Sequence, residues 1–226
     1  MCGRFTRMYT WEELVRLYRL TDPFTSNLQP RYNVCPTTEI DTVVFGDDKR
    51  ALVPMRWGLI PSWWSKTLKE FKLATFNARS DGIATKPMFR DAFKRRRCLI
   101  PVSGYYEWQT IGKEKQPHYF TRKDGEIVTI AGIHEAWIDI LTGERIRSCS
   151  MVITEPNRLV ASVHDRMPVI LEKGDFETWM KGDRDEAAEL MRPAAENILQ
   201  RRLVSKRVNS SRADENDATL IDALSL

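Results

Sequence analysis

The chain begins Met1-Cys2-Gly3-Arg4-Phe5, and a cysteine in second place has chemistry that depends on what precedes it. A small penultimate side chain permits removal of the initiator methionine. Cys2 would then carry a free α-amine, with an ordinary pKa of about 7.7–8.0, next to a thiol of about 8.5. An amine adds to an aldehyde to give a Schiff base, and the neighbouring thiol closes onto it as a five-membered thiazolidine. Proximity makes that second step effectively unimolecular. A cysteine that merely follows methionine has the same sequence, so position alone leaves both readings open.

Further along, Trp57-Gly58-Leu59-Ile60-Pro61-Ser62-Trp63-Trp64 gathers three Trp in a segment broken by Gly and Pro. Such a loop either contributes to the core or presents rings that stack on bases. In Phe76-Asn77-Ala78-Arg79-Ser80 an amide and a guanidinium sit two residues apart, on one side of an extended chain. Gly104-Tyr105-Tyr106-Glu107-Trp108 sets one carboxylate in an aromatic strand. Buried, Glu107 would have the raised pKa of a general acid; at an exposed edge it would be ordinary. His164, in Val163-His164-Asp165-Arg166-Met167-Pro168, is one of three histidines. It is either a proton carrier or a structural side chain, whereas His118 and His134 lie in strand patterns and read as structural.

The elements that must position these residues follow from local pattern. Thr10-Trp11-Glu12-Glu13 has the form of a capping box and opens a helix over 11–19, ending near Asp22-Pro23. Strands are expected over 42–45 and 51–55, with a turn at Gly46-Asp47-Asp48 between them. A helix follows over 87–95, and consecutive strands over 97–153. Asp124-Gly125 predicts a hairpin joining 118–122 to 127–133, and Thr142-Gly143 a weaker turn. Pro156-Asn157-Arg158 starts a short helix, helices are expected over 175–180 and 184–191, and a strand over 203–208. The basic run Lys94-Arg95-Arg96-Arg97 falls at a helix C-terminus, where its cations read as solvated charges that complement the dipole, with direct contact to DNA as the alternative. Together these give an α+β protein with a single domain over 1–208 and a loosely ordered polar tail over 209–226.

Composition excludes other classes. The 226 residues include 35 Lys+Arg against 31 Asp+Glu, a net +4 that is too small for a polybasic protein. Hydrophobic content of 42% and charged content of 29% suit a folded chain rather than a disordered one. No run approaches the 18 or so apolar residues of a membrane helix, and no apolar core of a signal peptide follows Met1. The expected location is cytoplasmic, with Cys2, Cys35, Cys98 and Cys149 reduced. Their spacing fits no zinc pattern, and three of them read as packing residues.

Taken in order, Met1–Phe5, Pro30-Arg31-Tyr32-Asn33-Val34-Cys35-Pro36, Trp57–Trp64, Asn77-Ala78-Arg79, Gly104–Trp108 and His164–Pro168 resemble successive segments of the SRAP family (SOS response-associated peptidase). The resemblance spans roughly residues 2–208. It implies an antiparallel, barrel-like α+β domain that captures abasic sites in single-stranded DNA through a thiazolidine at Cys2. It also implies a peptidase designation, which removal of its own Met1 would satisfy, and lyase activity. Under this resemblance Glu107 is the general acid/base and His164 a proton shuttle, while Asn77 holds the Cys2 amine or the sugar oxygen. Arg4, Arg79 and Arg166 would bind phosphates, and Trp63, Trp64 and Pro36 would stack on bases or block a second strand. No metal or organic cofactor is called for, and the expected form is a monomer. Cys35 stands where Ala is usual and Tyr105 where Trp is frequent, and a Glu-Thr pair that often follows the Asn77 motif is missing. Two readings of other classes compete: a Cys2–His164 amide hydrolase, and a non-catalytic single-strand binding module.

Overall fold

In the computed structural model, residues 2–21, 27–46 and 49–224 are described. The strands are β1 (Phe5–Arg7), β2 (Arg31–Val34), β3 (Glu39–Gly46), β4 (Lys49–Trp57), β5 (Asn77–Arg79) and β6 (Arg97–Val102). They continue with β7 (Gly104–Ile111), β8 (Glu114–Arg122), β9 (Val128–Ile138), β10 (Arg145–Thr154), β11 (Met167–Pro168) and β12 (Leu199–Leu203). The helices are α1 (Trp11–Tyr18), α2 (Arg90–Arg95), α3 (Arg158–Ala161), α4 (Phe176–Lys181) and α5 (Arg184–Glu189). The protein is therefore α+β and mainly antiparallel, as its sequence leads one to expect.

Two sheets form. One runs β12-β8-β7-β1-β2, and the other β11-β10-β4-β3-β6-β9. In the second, β9 also pairs with β10, from Arg145↔Ile138 to Met151↔Gly132, so β10-β4-β3-β6-β9 closes into a ring. Alternation along the strands divides its side chains. Leu99, Ala131 and Ile133 pack outward against Phe93 of α2 and Trp179 of α4. Their neighbours Cys98, Ile100 and Ile130 turn the other way and join Met55, Trp57, Phe5, Tyr105 and Cys2 in one buried cluster. The core of the ring thus continues beneath the five-stranded sheet, and Cys2 belongs to it. Gly104 is needed where that sheet is tightest: a Cβ there would lie 2.5 Å from the Tyr119 ring and 2.7 Å from the Phe120 carbonyl oxygen.

Local signals are borne out where the interaction is local. Thr10 Oγ1 accepts from the Glu13 N–H at 3.2 Å, and Glu13 accepts from the Thr10 N–H at 2.7 Å, which starts α1 as the capping box requires. Its expected end at Asp22-Pro23 and the turn residues Asp47 and Asp48 lie outside the described residues. Gly143, at φ 71°, turns β9 into β10.

Four expectations are corrected. Gly125 turns with φ 75°, yet β8 pairs with β7 and β12 while β9 pairs with β6 and β10. Asp124-Gly125 therefore carries the chain from one sheet to the other and forms no hairpin. The strand expected over 203–208 is already ending at Leu203, and 206–209 form a 3-10 turn capped by Ser205. The segment after Asn209 is not a loose tail within the described residues. Leu220 is buried beside Tyr106, Tyr119 and Val208, and the Tyr32 N–H donates to the Glu215 carbonyl. Nor is Arg97 a solvated cation. It is buried, and its guanidinium donates to the carbonyls of Trp179, Phe93 and Gly182 at the ends of α4 and α2.

Candidate active site

Cys2 is positioned from both sheets. β1 pairs with β7 at Phe5↔Tyr105, and the Tyr106 N–H donates to the Arg4 carbonyl at 3.0 Å. Carried two residues further, that antiparallel register sets Gly3 opposite Glu107 and Cys2 next to it. Asn77 comes from the other sheet, where β5 runs parallel to β10 with Asn77 opposite Met151. Its Nδ2 donates to the Cys2 carbonyl at 2.8 Å, rather than to the amine, and so holds the main chain of the candidate nucleophile. The Cys2 thiol is buried, and burial pushes its pKa well above the ordinary range.

Glu107 is fully buried. Removal from water disfavours its anion and raises its pKa to about 7. Facing it is His164, whose Nε2 is 3.9 Å from Glu107 Oε2. The tautomer follows from the turn after α3. The Arg166 N–H donates to His164 Nδ1 at 3.1 Å, which leaves the proton of the neutral ring on Nε2, toward Glu107. Burial, the largest influence, lowers the imidazole pKa and keeps the ring neutral at pH 7; the exposed Asp165 carboxylate, 3.1 Å from Nδ1, acts in the opposite direction. A buried acid of raised pKa beside a neutral imidazole can give and take a proton near pH 7.

A cleft of about 430 Å³ opens onto this pair, lined by Arg4, Glu107, Trp108, Lys115, His164 and Asn209. Arg4 is less free than a phosphate ligand would be. Its guanidinium lies over the Trp108 ring and donates to Asn33 Oδ1 at 2.6 Å and to the Val208 carbonyl at 2.8 Å. Arg79 and Arg166 converge on one carboxylate: Asp81 Oδ2 is 2.5 Å from Arg79 and 3.5 Å from Arg166.

The aromatic segment divides. Trp57 is buried and ends β4, Trp64 packs edge-on against Phe71, and Trp63 alone is half-exposed, donating to the Pro87 carbonyl. Neither Trp63, Trp64 nor the part-buried Pro36 has a hydrogen bond to the Cys2–Glu107–His164 group among the described residues. Cys98 and Cys149 are core residues, but Cys35 is only half-buried, its thiol donating to the Asn33 carbonyl beside Arg4. Sequence reasoning passed over Asp81, Trp108, Lys115 and Asn209. Trp108 was within a recognised motif; Lys115 and Asn209 carry no local signal, because only the packing of the C-terminal segment on β7 and β8 brings them to the cleft.

Residues 1–211 match the family described as SOS response associated peptidase (SRAP). The chain belongs to the SRAP family. Within it, this SRAP chain is 32% identical over 229 residues to the abasic site processing protein YoqW of Bacillus subtilis, covering 99% of this chain and 100% of that one. It is 33% identical over 190 residues to the abasic site processing protein HMCES of Gallus gallus, covering 74% of this chain and 56% of that protein. A crystal structure of a protein from Bacteroides thetaiotaomicron superposes with a TM-score of 0.87 at 26% identity, covering 99% and 100% of the two chains. Another, from Bordetella bronchiseptica, gives 0.81 at 24% identity over 90% of this chain and 100% of that one, and shares the fold of this SRAP chain.

Proposed function

We propose that this SRAP protein captures abasic sites in single-stranded DNA as a covalent thiazolidine at Cys2, after removal of Met1. Abasic deoxyribose exposes an aldehyde when its ring opens. The Cys2 amine attacks C1′, a C–N bond forms, and the aldehyde oxygen becomes a hydroxyl. Glu107, protonated near pH 7, gives that hydroxyl its proton; a second proton passes to it from the attacking nitrogen, water leaves and an iminium remains. The carboxylate so formed accepts the thiol proton as sulfur adds to carbon, which closes the ring and returns Glu107 to its starting state. The net change is loss of one water. His164 turns its Nε2–H toward Glu107 and steadies the carboxylate while its proton is away, and Asn77 fixes Cys2 by its carbonyl. Arg79 and Arg166 take the flanking phosphates in place of Asp81, Arg4 backs the Trp108 wall, and exposed Trp63 stacks on a base.

One observation carries this reading: Cys2 is buried together with a carboxyl group, Glu107, whose pKa is held near 7 rather than near 4.5. A cysteine hydrolase needs the reverse, a thiol of depressed pKa paired with its histidine, whereas here burial raises the thiol and His164 faces Glu107. The relatives named as abasic site processing proteins support the same substrate.

The test is to mix protein, its mature N-terminus confirmed by mass, with single-stranded DNA bearing one abasic site, and then denature. Wild type gives a denaturation-resistant product, and Cys2→Ala gives none. A chain extended before Cys2, its thiol intact but its α-amine blocked, also gives none. Absence of product from wild type refutes the proposal.

A further inference from the structure

One buried polar atom beside the site has no role in the chemistry above. Tyr105 lies two residues before Glu107 on β7, and alternation along a strand puts both side chains on one face. Its ring is fully buried and stacks on Phe120, with centroids 5.1 Å apart and planes 11° from parallel. It shares the core cluster of Cys2, and both the Cys2 thiol and the Glu107 carboxylate act electrostatically on its hydroxyl. That hydroxyl makes no hydrogen bond to any described residue. The other buried tyrosines do not share this condition, and Tyr18, on α1, pairs with Thr129 Oγ1 at 2.8 Å. Tyr106 donates to the Tyr32 carbonyl at 2.7 Å, Tyr119 pairs with Thr6 Oγ1 at 2.6 Å, and Tyr9 donates to Asp41 at 3.0 Å. A buried polar atom left unsatisfied disfavours folding, and the fold satisfies such atoms nearby. Phe at this position would pack equally well without the unmet hydroxyl.

We infer that Tyr105 is a further catalytic residue whose hydroxyl donates a hydrogen bond to the former aldehyde oxygen of the abasic sugar. The inference rests on the crosslinking reading above. As the Cys2 amine attacks C1′, negative charge builds on that oxygen before Glu107 protonates it. A fixed O–H in a water-poor site stabilises that charge with little reorganisation. No proton leaves Tyr105: the hydrogen bond forms on attack and is lost when water departs. Asn77 Oδ1, on the residue that holds the Cys2 carbonyl, is likewise buried without a hydrogen bond to the described residues and is free to accept one. The site then offers an unused donor and an unused acceptor near Cys2.

Tyr105→Phe removes one oxygen and keeps the stack on Phe120. Three measurements on processed wild type, Tyr105→Phe and Cys2→Ala decide the matter: the single-turnover crosslinking rate at saturating abasic DNA, reversible affinity for intact single-stranded DNA, and the thermal midpoint. The expected result is a crosslinking rate slowed on the order of a hundredfold, with unchanged reversible affinity and a thermal midpoint equal to or above wild type. Crosslinking at the wild-type rate overturns the inference and leaves the crosslinking function standing. A lowered midpoint with crosslinking lost only in proportion to DNA binding assigns Tyr105 a purely structural role and overturns it too. If wild type itself forms no product, the function fails first, and this role for Tyr105 fails with it.

Discussion

Two buried regions of this protein treat polar groups in opposite ways. At the junction of α2, α4 and β6, Arg97 is enclosed with a full positive charge, and its guanidinium meets the carbonyls of Trp179, Phe93 and Gly182. Every bond there serves the fold. At the meeting of the two sheets, the Tyr105 hydroxyl and Asn77 Oδ1 are enclosed without hydrogen bonds to the described residues, and the pKa of Glu107 is displaced by burial to about 7. The difference teaches where to look for chemistry. At Arg97 burial with complete pairing marks architecture, whereas beside Cys2 the buried Tyr105 hydroxyl and Asn77 Oδ1 keep bonding capacity for something that is not the protein itself.

The comparison breaks most visibly at Glu107. Glu107→Gln keeps the shape and loses the acid, and crosslinking should slow by about 10²–10⁴-fold, the usual range for general acid–base catalysis. The same variant tests the displaced pKa independently of DNA. A carboxyl group whose folded pKa is about 7 and whose ordinary value is 4.5 favours the folded state fully below pH 4.5, and that contribution disappears as pH rises through 7. Wild type should therefore lose up to roughly 3 kcal/mol relative to Glu107→Gln between pH 4.5 and 8. Denaturant titrations at both pH values check this, and parallel curves for the two proteins would contradict it.

Arg97→Ala probes the other region. Three carbonyls lose a charged donor, so stability should fall by about 3 kcal/mol, read as a lower denaturant midpoint, while the crosslinking rate of the folded fraction stays at wild type. A smaller effect is expected at Asp81, which occupies both Arg79 and Arg166. Asp81→Asn frees the two guanidinium groups for phosphate. Reversible binding of single-stranded DNA should tighten about threefold at low salt and become more salt-dependent. Weaker binding would remove these arginines from the interface.

Much of this site was legible in the sequence because its side chains carry their chemistry wherever the chain puts them. Cys2, Asn77, Glu107 and His164 stand out by type and motif, and the structure brings all four to one place. Less legible was how each is held. Arg4 resembles a free phosphate ligand, but Asn33 and Val208 occupy it from positions distant in the chain. Asp124-Gly125 has the chemistry of a hairpin turn, yet which strands pair is decided by the closure of β9 on β10. The run at Lys94–Arg97 shows four like charges and nothing to say that the last would turn inward among helix ends. The segment after Asn209 looked unattached because its polar residues outnumber Ala213, Leu220 and Ile221, the apolar side chains that pack it onto the Tyr106–Tyr119 cluster. Local pattern specifies caps, turns and reactive groups; the long-range pairing that sets their neighbours is not written locally.

The most direct test of the central claim counts thiols. Processed wild type is allowed to react with single-stranded abasic DNA, denatured, alkylated and weighed intact. The free chain has four cysteines and accepts four alkyl groups. A thiazolidine at Cys2 predicts an adduct lighter than its two components by one water that accepts only three. An adduct that accepts four would be an open Schiff base with the thiol uninvolved, and that result, or the absence of any adduct, would contradict the account.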